Sequence, residues 1–191
     1  MKKVFYSGDS IRIFSQDYVK EALKDKAEVY THFENATCSM YGVARFANWI
    51  TDVKLDYKDV DIIHFNHGIW DCCYWWGDDR SLSTPELYAE NLERLVKQMK
   101  RLCPQAKLIF ATTTPRNPSG VQGPNLIYEE DVQRYNAAAI AVMEKYDVEI
   151  NDLHALMEDK DESYWRDHVH FAEKGAKLIG ETVASVIEKY L

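Results

Sequence analysis

Five short apolar runs, separated by longer helix-compatible stretches, constrain the fold of this chain more than any other feature. Lys3–Tyr6, Ala27–Phe33, Val60–Asn66, Lys107–Thr112 and Val148–Asn151 have strand length and carry β-branched and aromatic residues. Between them, Tyr18–Lys24 and Gly42–Thr51 read as short helices. Thr84–Leu102 is the clearest helical pattern. Thr84 suits an N-cap, Pro85 fits the first turn, and Leu87, Leu92, Leu95, Val96 and Met99 form one stripe. Glu129–Tyr146 aligns Val132, Tyr135, Ala139, Val142 and Met143, and Glu173–Tyr190 aligns Ala176, Ile179, Val183, Val186 and Ile187. Strands joined by helical crossovers make βαβ units, and right-handed crossovers cover both faces of the sheet. The expected fold is α/β, a three-layer α/β/α sandwich on a mostly parallel five-stranded sheet of flavodoxin-like type.

A chain of 191 residues suits one domain over residues 1–191, with no repeat or linker in view. Apolar residues make up 46% of it, too many for disorder, and the net charge of −8 offers no basic footprint for nucleic acid or anionic membrane. Met1-Lys2-Lys3 precedes only Val4–Tyr6 before polar residues begin, too short for the core of a signal peptide, so a cytoplasmic location is expected. Cysteines 38, 72, 73 and 103 have no zinc-ligand spacing and read as free thiols.

In such sheets ligands sit at the carboxyl ends of the strands. Ser10 follows the first run, Asn66–Asp71 the third and Thr112–Arg116 the fourth. Near the other end, Asp167-His168-Val169-His170 places a carboxylate and two imidazoles just ahead of the last helical pattern. Serine, histidine and aspartate are the minimum set for nucleophilic acyl transfer. Blander readings exist. Ser10 could cap a helix or close a phosphate-binding turn, and Asp167 could cap the helix that follows. Physics alone does not separate His168 from His170. No G-x-S-x-G elbow is present. Asp9 is expected to bond local amides and shape the serine turn.

Gly8-Asp9-Ser10-Ile11 resembles the first block of the SGNH (GDSL-type) hydrolases, and Asp167-x-x-His170 resembles their last block. That resemblance covers nearly the whole chain. It implies Ser10 as nucleophile, His170 as base and Asp167 as its orienting partner, with no metal and no organic cofactor. The family takes its oxyanion donors from the serine amide, a glycine after the second strand and the asparagine of a Gly-x-Asn-Asp block. Here that block reads Gly68-Ile69-Trp70-Asp71, with tryptophan at the asparagine position. The candidate donors are therefore Ser10, Gly42, Gly68 and a displaced Asn66, each such contact being worth roughly 2.7–4 kcal/mol.

The aromatic stretch Trp70–Trp76 suits a pocket wall with Trp70, Trp75 and Trp76, a satellite core or a dimer contact, which leaves a homo-oligomer open. Arg116 could hold an anionic substrate group or sit on the surface. The loop Thr113–Tyr128 should border the pocket. Together these features lead to an esterase for small acyl esters, acetyl above all, on a small molecule or a carbohydrate. The alternatives are a thioesterase or lysophospholipase, a degenerate carbohydrate-binding relative, and a phosphate-binding domain that uses the Ser7–Ser10 turn.

Overall fold

The computed structural model describes all 191 residues. Strands β1 (Lys2–Ser7), β2 (Ala27–Tyr30), β3 (Ile62–Phe65), β4 (Lys107–Ala111) and β5 (Glu149–Asn151) alternate with helices α1 (Ser10–Leu23), α2 (Ser39–Asp52), α3 (Pro85–Leu102), α4 (Glu129–Lys145), α5 (Leu153–Met157) and α6 (Glu173–Glu188). The sheet order is β2-β1-β3-β4-β5, and every pairing is parallel. The α/β/α sandwich and its five-stranded sheet are thus as the run-and-helix pattern predicts.

Both faces of the sheet are covered, which explains why its central strands read as continuous apolar runs rather than alternating ones. Phe5, Ile63, Phe65, Leu108 and Phe110 point to one cluster, with Trp49 of α2, Leu92 of α3 and Tyr135 of α4. Val4, Tyr6, Ile62 and Ile109 point to the other, with Val19 of α1 and Ile179 and Val183 of α6. The period-two alternation within each strand separates the two cores.

Among the differences from the sequence expectation, two boundaries and one unforeseen helix have a clear physical reason. Helix α1 begins at Ser10, not Tyr18, because its buried face runs through Arg12 and Ser15 as well as Ile11, Val19 and Leu23. Polar residues on that face hide the apolar period. Strand β2 stops at Tyr30 rather than Phe33, and the carbonyls of His32 and Glu34 bond to Arg12 instead of to the sheet. Helix α5 is five residues long, too short to show a period, and Asp152 caps it by accepting from the Ala155 amide at 3.1 Å.

Helices α1 and α6 lie against each other, and a Cβ at Gly180 would come within 2.6 Å of Tyr18 Cβ and 2.8 Å of the Ser15 carbonyl. Only a glycine permits that approach. It matters for function because α1 opens with Ser10 and α6 follows directly on the Asp167–His170 segment. No helix is long and apolar enough to cross a membrane.

Candidate active site

The chain leaves β1 at Ser7 and enters α1 at Ser10, so Ser10 stands at the carboxyl edge of the sheet in the first turn of a helix. Asp9 is the N-cap, its Oδ1 accepting the Ile11 amide at 2.9 Å. Asp9 is fully buried, and burial raises its carboxyl above the usual range against the pull of the Ile11 amide. It shapes the turn, as its position predicts.

Opposite, the segment between the last strand and α6 folds around one carboxylate. Asp167 Oδ1 accepts the amides of Val169 at 2.9 Å and His170 at 2.8 Å, which frees Oδ2 for His170 Nδ1 at 2.8 Å. His170 Nε2 then lies 3.0 Å from Ser10 Oγ. Burial alone would raise the Asp167 carboxyl. The two backbone amides and the imidazole outweigh it and bring the group down to about 2. Phe14, one turn along α1, packs edge-on to the His170 ring with centroids 5.5 Å apart. The geometry thus separates the two histidines. His170 bridges Asp167 and Ser10, whereas His168 Nδ1 is 3.9 Å from Asp167 and lines the cavity beside them.

Ser10 and His170 open onto a cavity of about 290 Å³. Its walls are mainly apolar, from Ile11, Ile69, Trp70, Cys73, Trp75, Ile127 and Val169. Asn35, Asn125 and His168 add the polar groups. Two loops close it from one side. Tyr74 and Leu126 exchange both backbone hydrogen bonds at 2.9 Å, which clips the aromatic stretch after β3 to the long loop after β4. That long loop does border the pocket, through Asn125 and Ile127.

Several residues singled out from the sequence stand elsewhere. Gly42 lies inside α2, where its amide donates to the Cys38 carbonyl at 3.1 Å, so it has no donor to spare. Gly68 does not line the cavity. At φ +150° it is held in a conformation that suits glycine, and a Cβ there would come 2.0 Å from Thr113 Oγ1. Asn66 packs under the serine turn, its Oδ1 accepting the Asp9 amide at 3.4 Å, and is likewise absent from the cavity wall. Trp76 is 77% exposed and outside the cavity, whereas Trp70 and Trp75 line it with ring centroids 4.6 Å apart. Arg116 lines a separate cleft with Glu129 and His154, and its amide donates to Glu129 at 2.9 Å.

Sequence reading missed Asn35, Asn125, Ile127 and Val169, because loop residues carry no period that reveals which way they face. It also missed Arg12. This side chain is 2% exposed and gathers the carbonyls of His32 at 2.9 Å, of Glu34, and of Gly8 at 3.4 Å, with Gln16 at 2.8 Å. Burial lowers its guanidinium to about 10 without discharging it at neutral pH. Arg12 therefore ties the loop after β2 to the serine turn. Arg12→Met removes the donors while keeping much of the volume, and takes from the His32 and Glu34 carbonyls the partner that Arg12 supplies, whereas the Gly8 carbonyl keeps the Ala36 amide. The variant should lose about 2–4 kcal/mol of stability. Urea unfolding checks this, and a loss under about 0.5 kcal/mol would contradict the clamp.

An all-parallel α/β/α sandwich, with Gly-Asp-Ser after its first strand and Asp-x-x-His ahead of its last helix, defines the SGNH (GDSL-type) hydrolase class. The model of the GDSL-like Lipase/Acylhydrolase family matches residues 8–178, and the chain belongs to that family. A lipase/acylhydrolase from Enterococcus faecalis superposes with a TM-score of 0.75 at 19% identity, over 99% of this chain and 96% of that one. A carbohydrate acetylesterase from Sinorhizobium meliloti gives 0.72 at 14% identity over 100% of both chains. An acetyl xylan esterase gives 0.73 at 15% identity, over 97% of this chain and 99% of that one. A GDSL esterase/lipase from Oryza sativa subsp. japonica is 20% identical over 114 residues, 54% of this chain and 44% of the relative. The match thus spans less than half of that relative's length.

Proposed function

We propose that the chain is a serine esterase for small acyl esters, acting through Ser10, His170 and Asp167. The observation that carries this reading is the continuous relay of 3.0 Å from Ser10 Oγ to His170 Nε2 and 2.8 Å from His170 Nδ1 to Asp167 Oδ2. Asp167 accepts from Nδ1–H, which fixes the tautomer with a lone pair on Nε2. That lone pair removes the Ser10 proton as Oγ attacks the ester carbonyl. The imidazolium next to the Asp167 carboxylate protonates the departing alcohol. Water then repeats the sequence on the acyl-enzyme, with His170 again as base, and releases the acid.

For the substrate, the apolar walls beside Ser10 favour an uncharged acyl group. Two structural neighbours bear names that specify acetyl ester substrates, which agrees with acetyl esters of a carbohydrate or small molecule. The cavity volume favours one further reading, a longer acyl chain as in a thioesterase or lysophospholipase. Hydrolysis of p-nitrophenyl acetate, butyrate and octanoate distinguishes them. For a small-acyl esterase, kcat/KM should be highest for acetate or butyrate and at least tenfold lower for octanoate. A maximum at octanoate would transfer the assignment to long acyl chains. Absence of turnover on all three esters and on acetylated sugars would favour a binding protein instead.

A further inference from the structure

Attack by Ser10 on a carbonyl leaves negative charge on the carbonyl oxygen, and a single donor meets that charge poorly. The Ser10 amide, in the first turn of α1, has no intrahelical partner and supplies one contact. Of the remaining donors suggested by sequence, Gly42 is committed within α2, and neither Gly68 nor Asn66 reaches the cavity. Trp70 occupies the place of an asparagine amide and packs on Trp75. The second contact must come from elsewhere on the wall.

We infer that the side-chain amide of Asn35 is that donor, an inference that rests on the serine-esterase reading above. Asn35 lines the same cavity as Ser10 and His170. Its Oδ1 accepts the Thr37 amide at 2.9 Å, which identifies the oxygen end of the group and leaves the NH2 end uncommitted on the cavity wall. The loop that carries it is fixed to the nucleophile on both sides. The amide of the next residue, Ala36, donates to the Gly8 carbonyl at 3.2 Å. The carbonyl of the preceding residue, Glu34, is held by the buried Arg12 of α1. Thr37 adopts φ 45°, a left-handed turn that bends the chain back after Asn35. Asn35 is thus held beside the serine turn by its own neighbours in the chain, with its donor group free.

In the reaction, the Ser10 Oγ–carbon bond forms while the carbonyl π pair moves onto oxygen and the hydroxyl proton passes to His170. Asn35 and the Ser10 amide receive the oxygen. When the carbonyl re-forms, the bond to the leaving alcohol breaks and His170 returns the proton to it. No external oxidant or reductant enters.

The test is the kinetics of p-nitrophenyl acetate hydrolysis by the wild type and by Asn35→Ser, Trp70→Phe and Ser10→Ala. Asn35→Ser is neutral and keeps an oxygen for the Thr37 amide while removing the NH2 donor. The expected result is a kcat reduced roughly 10²–10³-fold, with KM within about threefold. Trp70→Phe, which removes the indole donor but keeps an aromatic wall, should lose at least tenfold less kcat than Asn35→Ser. Thermal unfolding monitors the fold, and Asn35→Thr, with the same oxygen, must show the same loss if the serine variant melts early. Asn35→Ser within fivefold of wild type, while Ser10→Ala is inactive, would overturn the Asn35 assignment and leave the esterase reading intact. A loss of 10²-fold in Trp70→Phe with Asn35→Ser unaffected would assign the contact to the indole. A Ser10→Ala variant as active as the wild type would overturn both readings.

Discussion

Ser10→Ala is expected to reduce kcat for p-nitrophenyl acetate by roughly 10⁴–10⁶-fold, with KM nearly unchanged. The hydroxyl is the atom that would bond to the acyl carbon, and no other nucleophile lines the cavity within reach of His170. Cys73 is on the wall, but burial raises its thiol to about 12, so it remains protonated at neutral pH. His170→Ala should cost about as much as Ser10→Ala, since it removes the base that activates the hydroxyl. The double variant should be little worse than either single one, because the two side chains act as one unit. Steady-state rates over the acyl series measure all three. Retention of more than a few per cent of activity in Ser10→Ala would mean that Ser10 merely begins α1.

The second large effect belongs to Asp167→Asn. The new side chain can still present an oxygen to the Val169 and His170 amides, so the loop should keep its shape. What changes is the group facing His170 Nδ1. An amide NH2 there cannot accept from Nδ1–H, and the ring is driven to the tautomer with the proton on Nε2, where it cannot take the serine proton. A fall of roughly 10³–10⁴-fold in kcat is expected, with little change in KM. The pH profile gives an independent check. With its carboxyl held at about 2, Asp167 is ionised throughout pH 4–9 and adds no limb of its own there. The wild-type kcat/KM profile should therefore contain no limb between pH 4 and 9 that the Asp167→Asn variant removes. A variant within tenfold of wild type, or a limb in that range that disappears with Asp167, would contradict the orienting role.

The parts of this molecule that a sequence reveals are those set by period and by order. Strand-length runs such as Val60–Asn66 had to be buried on both faces, and the stripe of Thr84–Leu102 had to be a helix packed on one side. The serine turn and the Asp167–His170 segment were legible because their chemistry is carried by adjacent residues. The oxyanion side was not legible. It depends on a loop, Asn35–Cys38, whose placement comes from the buried Arg12 of α1 reaching the His32 and Glu34 carbonyls, contacts between residues far apart in the chain that no local pattern reveals. Buried polar side chains interrupt the apolar pattern, which is why α1 appeared to begin late. Gly42 and Gly68 misled in the same way. Each is required by close packing, against His67 and Thr113 respectively, and not by a ligand.

Covalent capture shows directly whether Ser10 is the nucleophile of an esterase. The protein would be incubated with an alkyl p-nitrophenyl phosphonate, digested, and the modified peptide located by mass spectrometry. One equivalent of adduct is expected on Ser10, coincident with loss of esterase activity and absent in Ser10→Ala and His170→Ala. An adduct elsewhere, or full hydrolytic activity after Ser10 is blocked, would contradict it.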